Sequence, residues 1–389
     1  MSGSSHNNPM MRMHEPVVYQ DDETESKELK PGVALCLSGG GYRAMLFHVG
    51  SLWRLFETGL LFRLDRISSV SGGSITAGVL GLVWDRLFPS PTPDRGRFEE
   101  HVVAPIRRLA DETIDASALV GGLLLPGSIS EKVQAAYRKH LFGDATLQDL
   151  TDKPRFVINA TNVQSGALWR FSKPYMRDYR VGEVRNPTVL MSMAVTASSA
   201  FPPVLSPLTM ELDPRSFTPG SGDDLQVEPY TSRVVLTDGG VYDNLGLETA
   251  WKRYETVLVS DAGGKMRAEE EPKEDWARHA YRVLNLIDNQ VRSLRKRQLI
   301  EAYRNHVRKG AYWGIRTDIA DYALSDPLPC PYERTLDLAE TPTRLKRMNP
   351  ELQERLINWG YAVCDAALRA HLDPGLSRPA DFPYPAVGV

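Results

Sequence analysis

Asp65-Arg-Ile-Ser-Ser-Val-Ser-Gly-Gly-Ser-Ile-Thr-Ala-Gly78 is a β-branched run that breaks at a Ser-Gly-Gly turn and resumes as an apolar, helix-like segment. A serine lifted on a sharp strand–turn–helix elbow is a candidate nucleophile. Such an elbow needs small residues two before and two after that serine. Of the four serines here only Ser71 qualifies, with Ser69 before it and Gly73 after it. Ser69 departs from the strict G-x-S-x-G pattern, but serine is the next smallest residue that still lets helix and strand backbones approach. The competing reading is a Ser/Gly-rich turn that only opens a buried helix.

Working outward, Val33-Ala-Leu-Cys-Leu37 reads as a short buried strand, and Ser38-Gly-Gly-Gly41 ends it before the helix-like Tyr42–Thr58. A helix from about Ser74 to Leu87 follows the elbow. This β-α-β-α start predicts a three-layer α/β/α fold with a mostly parallel central sheet. Arg97–Asp111 and Glu131–Phe142 read as helices. The apolar stretch 118–126 between them reads as a buried loop, with a mobile lid or a membrane-contacting loop as the functional alternative. Phe156–Asn162 and Leu168–Ser172 flank Gln164-Ser-Gly166, a hairpin signal. A helix near Thr188–Ser199 stops at Phe201-Pro-Pro203, and Ser216–Thr231 reads as an exposed insertion. Arg233-Val-Val-Leu-Thr-Asp-Gly-Gly240 is a strand with an acidic residue at its C-terminal end, a helix begins near Leu245, and Thr256–Ser260 is another buried strand. A long helix covers much of Trp276–Lys309, and Leu352–His371 is a last amphipathic helix. Residues 1–30 are expected to form a flexible polar leader, 31–320 the α/β domain, and 321–389 a helical extension packed on it.

Composition narrows the function classes. With 42% hydrophobic and 24% charged residues the chain is neither disordered nor fibrous, and a net charge of -3 gives no general attraction to nucleic acid. Cys36, Cys330 and Cys364 are widely spaced and make neither a disulfide framework nor a zinc site, so a reducing cytoplasm is expected. No apolar run reaches the ~20 residues that span a bilayer. One local exception to the near-neutral charge is Arg278–Lys309, where nine Lys/Arg stand against Asp288 and Glu301. That segment is either a solvated helix face or a contact for anionic lipid head groups.

In an open parallel sheet, reactive groups collect at the C-terminal ends of strands. Three strand ends carry Gly39-Gly40-Gly41, Ser71 and Asp238-Gly239-Gly240. Glycine backbone N–H groups at a helix start form an anion site, which in acyl transfer holds the oxyanion of the tetrahedral intermediate. Gly39-x-Gly41-x-x-Ala44 also fits a dinucleotide fingerprint, but the acidic residue expected at the end of the next strand is missing, since that strand ends at Ser71. A serine hydroxyl needs a base. Asp238 could act directly if burial raises its pKa, or His279, His306 or His371 could intervene, although all three read as helix residues.

Ser38-Gly-Gly-Gly-Tyr-Arg-Ala-Met45, Val70-Ser-Gly-Gly-Ser74 and Asp238-Gly-Gly-Val-Tyr-Asp-Asn-Leu245 resemble the three signatures of the patatin-like phospholipase family, and are similar to the catalytic module of cytosolic phospholipases A. The resemblance runs from about Val33 to Ala262. It implies a Ser–Asp dyad of Ser71 and Asp238, an oxyanion hole at Gly39, Gly40 and Gly41, and a lipid-phosphate contact at Arg43. Ala44 stands where many patatins have glycine. The expected function is a lipid acyl hydrolase of phospholipase A or lysophospholipase type, acting on phospholipid or another acyl lipid without metal or cofactor. It would be cytoplasmic, with transient contact at a membrane surface. The alternatives are a lipid-binding regulatory module, or a hydrolase held inactive until a partner or small molecule rearranges the loop near 120–126.

Overall fold

Five parallel strands carry the centre of the molecule: β1 (Lys30–Leu37), β2 (Arg66–Ser69), β3 (Arg155–Asn162), β9 (Tyr254–Asp261) and β10 (Lys309–Gly314), in the order β10-β9-β1-β2-β3. This computed structural model describes residues 29–88, 92–114, 128–203 and 205–389. The expected leader, apart from its last two residues, and the loop at 118–126 lie outside them. Along β1, Leu35 and Leu37 enter the large core on one face while Ala34 and Cys36 enter a smaller one on the other. A strand apolar on both faces must be covered on both, which is why the sheet is the middle of three layers.

Beyond β3 the sheet turns antiparallel through β4 (Leu168–Phe171), β5 (Tyr175–Asp178) and β6 (Gly182–Arg185). A further antiparallel pair, β7 (Leu208–Glu211) with β8 (Arg233–Asp238), joins through β8 to β3. The hairpin expected around 164–166 is the β3–β4 pair, whereas β5, β6, β7 and β10 are additions to the sequence reading. One expectation is corrected outright: Asp238 does not end a strand parallel to its neighbours, because β8 runs antiparallel to β3.

Five helices build or flank the region of the elbow: α1 (Gly41–Glu57), α2 (Gly72–Leu87), α3 (Met191–Ser199), α4 (Trp276–Arg304) and α5 (Pro350–His371). α5 seals α1 from solvent at backbone contact. A Cβ at Gly50 would lie 1.9 Å from the Ile357 carbonyl oxygen, and one at Gly360 would lie 1.9 Å from that of Phe47. On the opposite side of the sheet, only the C-terminal part of α4 enters a core, through Leu299 and Tyr303. Near Leu245 the expected helix is two single turns, Gly240–Asp243 and Glu248–Trp251. No helix among the described residues is long and apolar enough to cross a membrane.

Candidate active site

The elbow forms between β2 and α2. Ser71 has φ 51° and ψ -121°, a conformation that side chains disfavour and that survives only where the surroundings impose it. They do so closely. A Cβ at Gly72 would sit 2.2 Å from the Gly41 carbonyl oxygen, and one at Gly73 would sit 2.5 Å from that of Leu37. The Ser71 N–H donates to Ser198 Oγ at 3.0 Å. Ser198 Oγ in turn lies 2.9 Å from Ser74 Oγ, which donates to Ser69 Oγ at 3.0 Å. The serine that breaks the G-x-S-x-G pattern is therefore fully buried and joined to the hydroxyl chain that fixes the turn.

Asp238 reaches this elbow from the opposite direction. β2 and β8 lie on the same edge of β3, one parallel and one antiparallel, so their C-terminal ends meet head to head. Ser69 pairs with Ile158 and Asp238 with Ala160, two residues apart on β3, which is roughly 7 Å along the strand. Asn159 fills the gap, its Nδ2 donating to the Ser69 carbonyl and to Ser68 Oγ, both at 2.9 Å. Close approach requires Gly239, where a Cβ would fall 2.3 Å from the Asn159 carbonyl oxygen. α3 ties the two strand ends together. Ser198 holds Ser71 through its hydroxyl and accepts the Gly239 N–H at its carbonyl, at 3.3 Å.

The Asp238 side chain is buried, and burial raises its pKa to about 7 against the lowering influence of the Gly240 N–H and the Ser71 hydroxyl. Gly240 N donates to Oδ1 at 2.6 Å, while Oδ2 has no hydrogen-bond partner among the described residues. The Ser71 hydroxyl thus lies close enough to favour the ionised carboxylate without closing a hydrogen bond of ordinary geometry. Catalytic contacts are often this loose before substrate arrives. Asp288 on α4 adds like charge and pushes the Asp238 pKa further up.

The glycine triplet divides its work. Gly39 is needed for contact, since a Cβ there would lie 2.4 Å from Asn244 Oδ1 and 3.1 Å from Ser71 Cβ. Its N–H donates to the Asn244 carbonyl at 3.1 Å and is not available to a ligand. Gly40 (φ 147°) and Gly41 (φ 60°) form the start of α1, and their N–H groups have no partner among the described residues. Arg43 follows on the first turn of α1. It is buried, its Nη1 donates to the Thr341 and Ala339 carbonyls at 2.6 and 3.3 Å, and its Nη2 donates to the Ala262 carbonyl at 2.9 Å. These bonds tie the loops at Ala262 and Ala339–Thr341 to its guanidinium, which is not among the groups that line the cavity.

A cavity of about 490 Å³ opens over Gly40, Gly41, Ser71 and Asp238. Its outer wall is the N-terminal half of α4, through Tyr281, Asn285, Asp288 and Arg292, and the loop at Arg344. Sequence reasoning missed Ser198 and Asp288 because each acts through a tertiary contact with no local pattern, and it gave no role to Asn244, which lies within the quoted Asp238–Leu245 stretch. His279, His306 and His371 do not line it. The fully buried His48 bridges Ser260 Oγ and the Ser38 carbonyl at 2.8 and 2.9 Å, and burial lowers its pKa to about 4.

Among solved structures, human GIVD cytosolic phospholipase A2 is similar at 14% identity and TM-score 0.38, over 64% of this chain and 51% of that one. The same enzyme in complex with methyl gamma-linolenyl fluorophosphonate is similar at 13% identity and TM-score 0.46, over 90% of this chain and 61% of that one. VipD from Legionella pneumophila is similar at 14% identity and TM-score 0.36, over 88% of this chain and 67% of that one. The chain thus spans about half to two thirds of the length of these structures. No curated protein matches it in sequence. The family model of patatin-like phospholipase matches residues 35–251, from β1 through the elbow and the Asp238 strand, and so the chain belongs to the patatin-like phospholipase family.

Proposed function

We propose that this protein is a lipid acyl hydrolase of phospholipase A or lysophospholipase type that cleaves fatty-acyl esters of glycerophospholipids through Ser71 and Asp238. Ser71 Oγ attacks the ester carbonyl and its proton passes to the Asp238 carboxylate. The negative charge that develops on the carbonyl oxygen is held by the Gly40 and Gly41 N–H groups at the start of α1. Collapse of the tetrahedral intermediate breaks the ester C–O bond, and the leaving alcohol takes the proton from Asp238. Water then attacks the acyl-enzyme with Asp238 again accepting a proton, and collapse of the second tetrahedral intermediate breaks the acyl C–O bond to Ser71, whose oxygen takes the proton back from Asp238 as the fatty acid leaves.

The observation that carries this reading is the head-to-head meeting of β2 and β8 on one edge of β3, which sets a strained serine beside a buried carboxylate with an open oxygen. A carboxylate at its usual pKa of about 3.9 would be a weak base at neutral pH, and burial removes that objection. The experiment is hydrolysis of a soluble short-chain ester together with labelling by a fluorophosphonate. Ser71→Ala and Asp238→Asn should each lower kcat/KM by about a thousandfold or more while the fold persists, and the label should map to Ser71. Full activity in Ser71→Ala would sink the scheme. The combined His279→Ala, His306→Ala and His371→Ala protein should keep its rate, and loss there would point to a triad.

A further inference from the structure

α4 turns the wrong face outward. A helix on a globular body normally buries its apolar stripe and exposes its polar one. Here Trp276, Val283, Ile287, Val291 and Leu294 recur at helical spacing as one stripe, with exposures of 84%, 43%, 53%, 36% and 57%. The other face is polar and turned inward. Asn285, Asp288 and Arg292 line the cavity, Arg292 pairs with Asp288 at 3.1 Å, and Lys296 pairs with the buried Asp261 at 2.7 Å. Of the thirteen large apolar side chains exposed among the described residues, eight lie on this helix. Such a concentration, on one element and beside the cavity mouth, marks an interaction surface.

We infer that α4 is an interfacial helix that lies flat on an anionic phospholipid surface, apolar stripe down, and holds the cavity mouth at the leaflet. The choice of occupant rests in part on the lipid-hydrolase reading of the cavity. Charge supports it independently. Of the seven Lys/Arg on α4, Arg278, Arg282, Arg292, Arg295 and Lys296 pair with Asp275, Glu269, Asp288, Glu248 and Asp261, which leaves Arg297 and Arg304 exposed with no acidic partner among the described residues. Across the mouth, Arg344, Lys346 and Arg347 are exposed on the loop that lines its far side. A basic helix with an exposed tryptophan and branched aliphatic residues is the composition that partitions into the headgroup boundary. The stripe between Trp276 and Leu294 is about 27 Å long and one helix wide, well short of the roughly 800 Å² per partner of a stable protein interface.

Vesicle binding tests this with the Ser71→Ala protein, so that turnover cannot alter the lipid. It should co-sediment with sucrose-loaded vesicles of phosphatidylcholine and phosphatidylglycerol. Combined Trp276→Ser, Ile287→Ser and Leu294→Ser should lower that partitioning at least about tenfold. In the otherwise intact enzyme the same three changes should leave Tm and short-chain ester hydrolysis unchanged while hydrolysis of vesicle lipid falls. Arg297→Glu with Arg304→Glu should weaken binding to the mixed vesicles but not to pure phosphatidylcholine. Undiminished binding by the triple variant would overturn the inference, and so would a parent that ignores vesicles but forms a dimer which the triple variant cannot. If Ser71→Ala instead kept hydrolytic activity, the dyad would fail while the vesicle result stood apart from it.

Discussion

In the proposed scheme Asp238 serves as a base only where it is ionised, and a pKa raised to about 7 would tie activity to pH. Lowering the pH through that value protonates the carboxylate, so kcat/KM for a soluble ester should rise with pH along a single step with its midpoint near 7. A midpoint near 4 would mean that the group feels no burial. Asp288→Asn removes a like charge facing Asp238, and the midpoint should move down. Ser198 never touches a substrate carbonyl in this scheme, yet its hydroxyl holds the Ser71 N–H and its carbonyl holds that of Gly239. Ser198→Ala loses one of these ties, so kcat should fall about tenfold with KM little changed, as steady-state kinetics would reveal.

At the scale of elements, the proposed dyad is a consequence of register. β3 offers one edge to two strands that approach from opposite ends, and the elbow and Asp238 meet because the pairings stop two residues apart. Gly239→Ala would drive a methyl group toward the Asn159 carbonyl oxygen, which Asn159 cannot yield without releasing the end of β2. The expected loss is about 1–3 kcal/mol in denaturant unfolding, together with loss of fluorophosphonate labelling. The β1–α1–β2–α2 start was legible because glycine-terminated apolar runs of strand length alternate with segments of helical spacing. β8 was legible as a strand, but its direction was not, since a strand reads alike whether its partner runs parallel or antiparallel. β10 hides behind a long helix pattern that ends at Arg304, and β5 and β6 are four residues each, too short for alternation to declare itself.

For the whole molecule, the buried Asp238 carboxyl opposes stability at the pH where the proposed base would be ionised. The folded protein holds a proton on Asp238 up to about 7, whereas the unfolded chain releases it near 3.8, so the stability this group contributes is present below the lower value and is lost as pH rises across that window. Asp238→Asn cannot ionise, and in thermal melts its Tm should gain on the parent as pH increases from 4 to 8, by up to roughly 2–4 kcal/mol in free energy. Candidate residues in glycine-rich motifs could be singled out from local sequence. Arg43 could not be assigned that way, because only the folded chain brings the Ala262, Ala339 and Thr341 carbonyls around its guanidinium. The shared edge of β3 also sets when the molecule can first act. The elbow draws on Asn159 of β3 and Ser198 of α3 as well as on β1, β2 and α2, and β8 follows all of these in the chain. On the proposed Ser71–Asp238 scheme, a nascent chain that ends before β8 would carry its serine without a base and would stay silent until that strand is made.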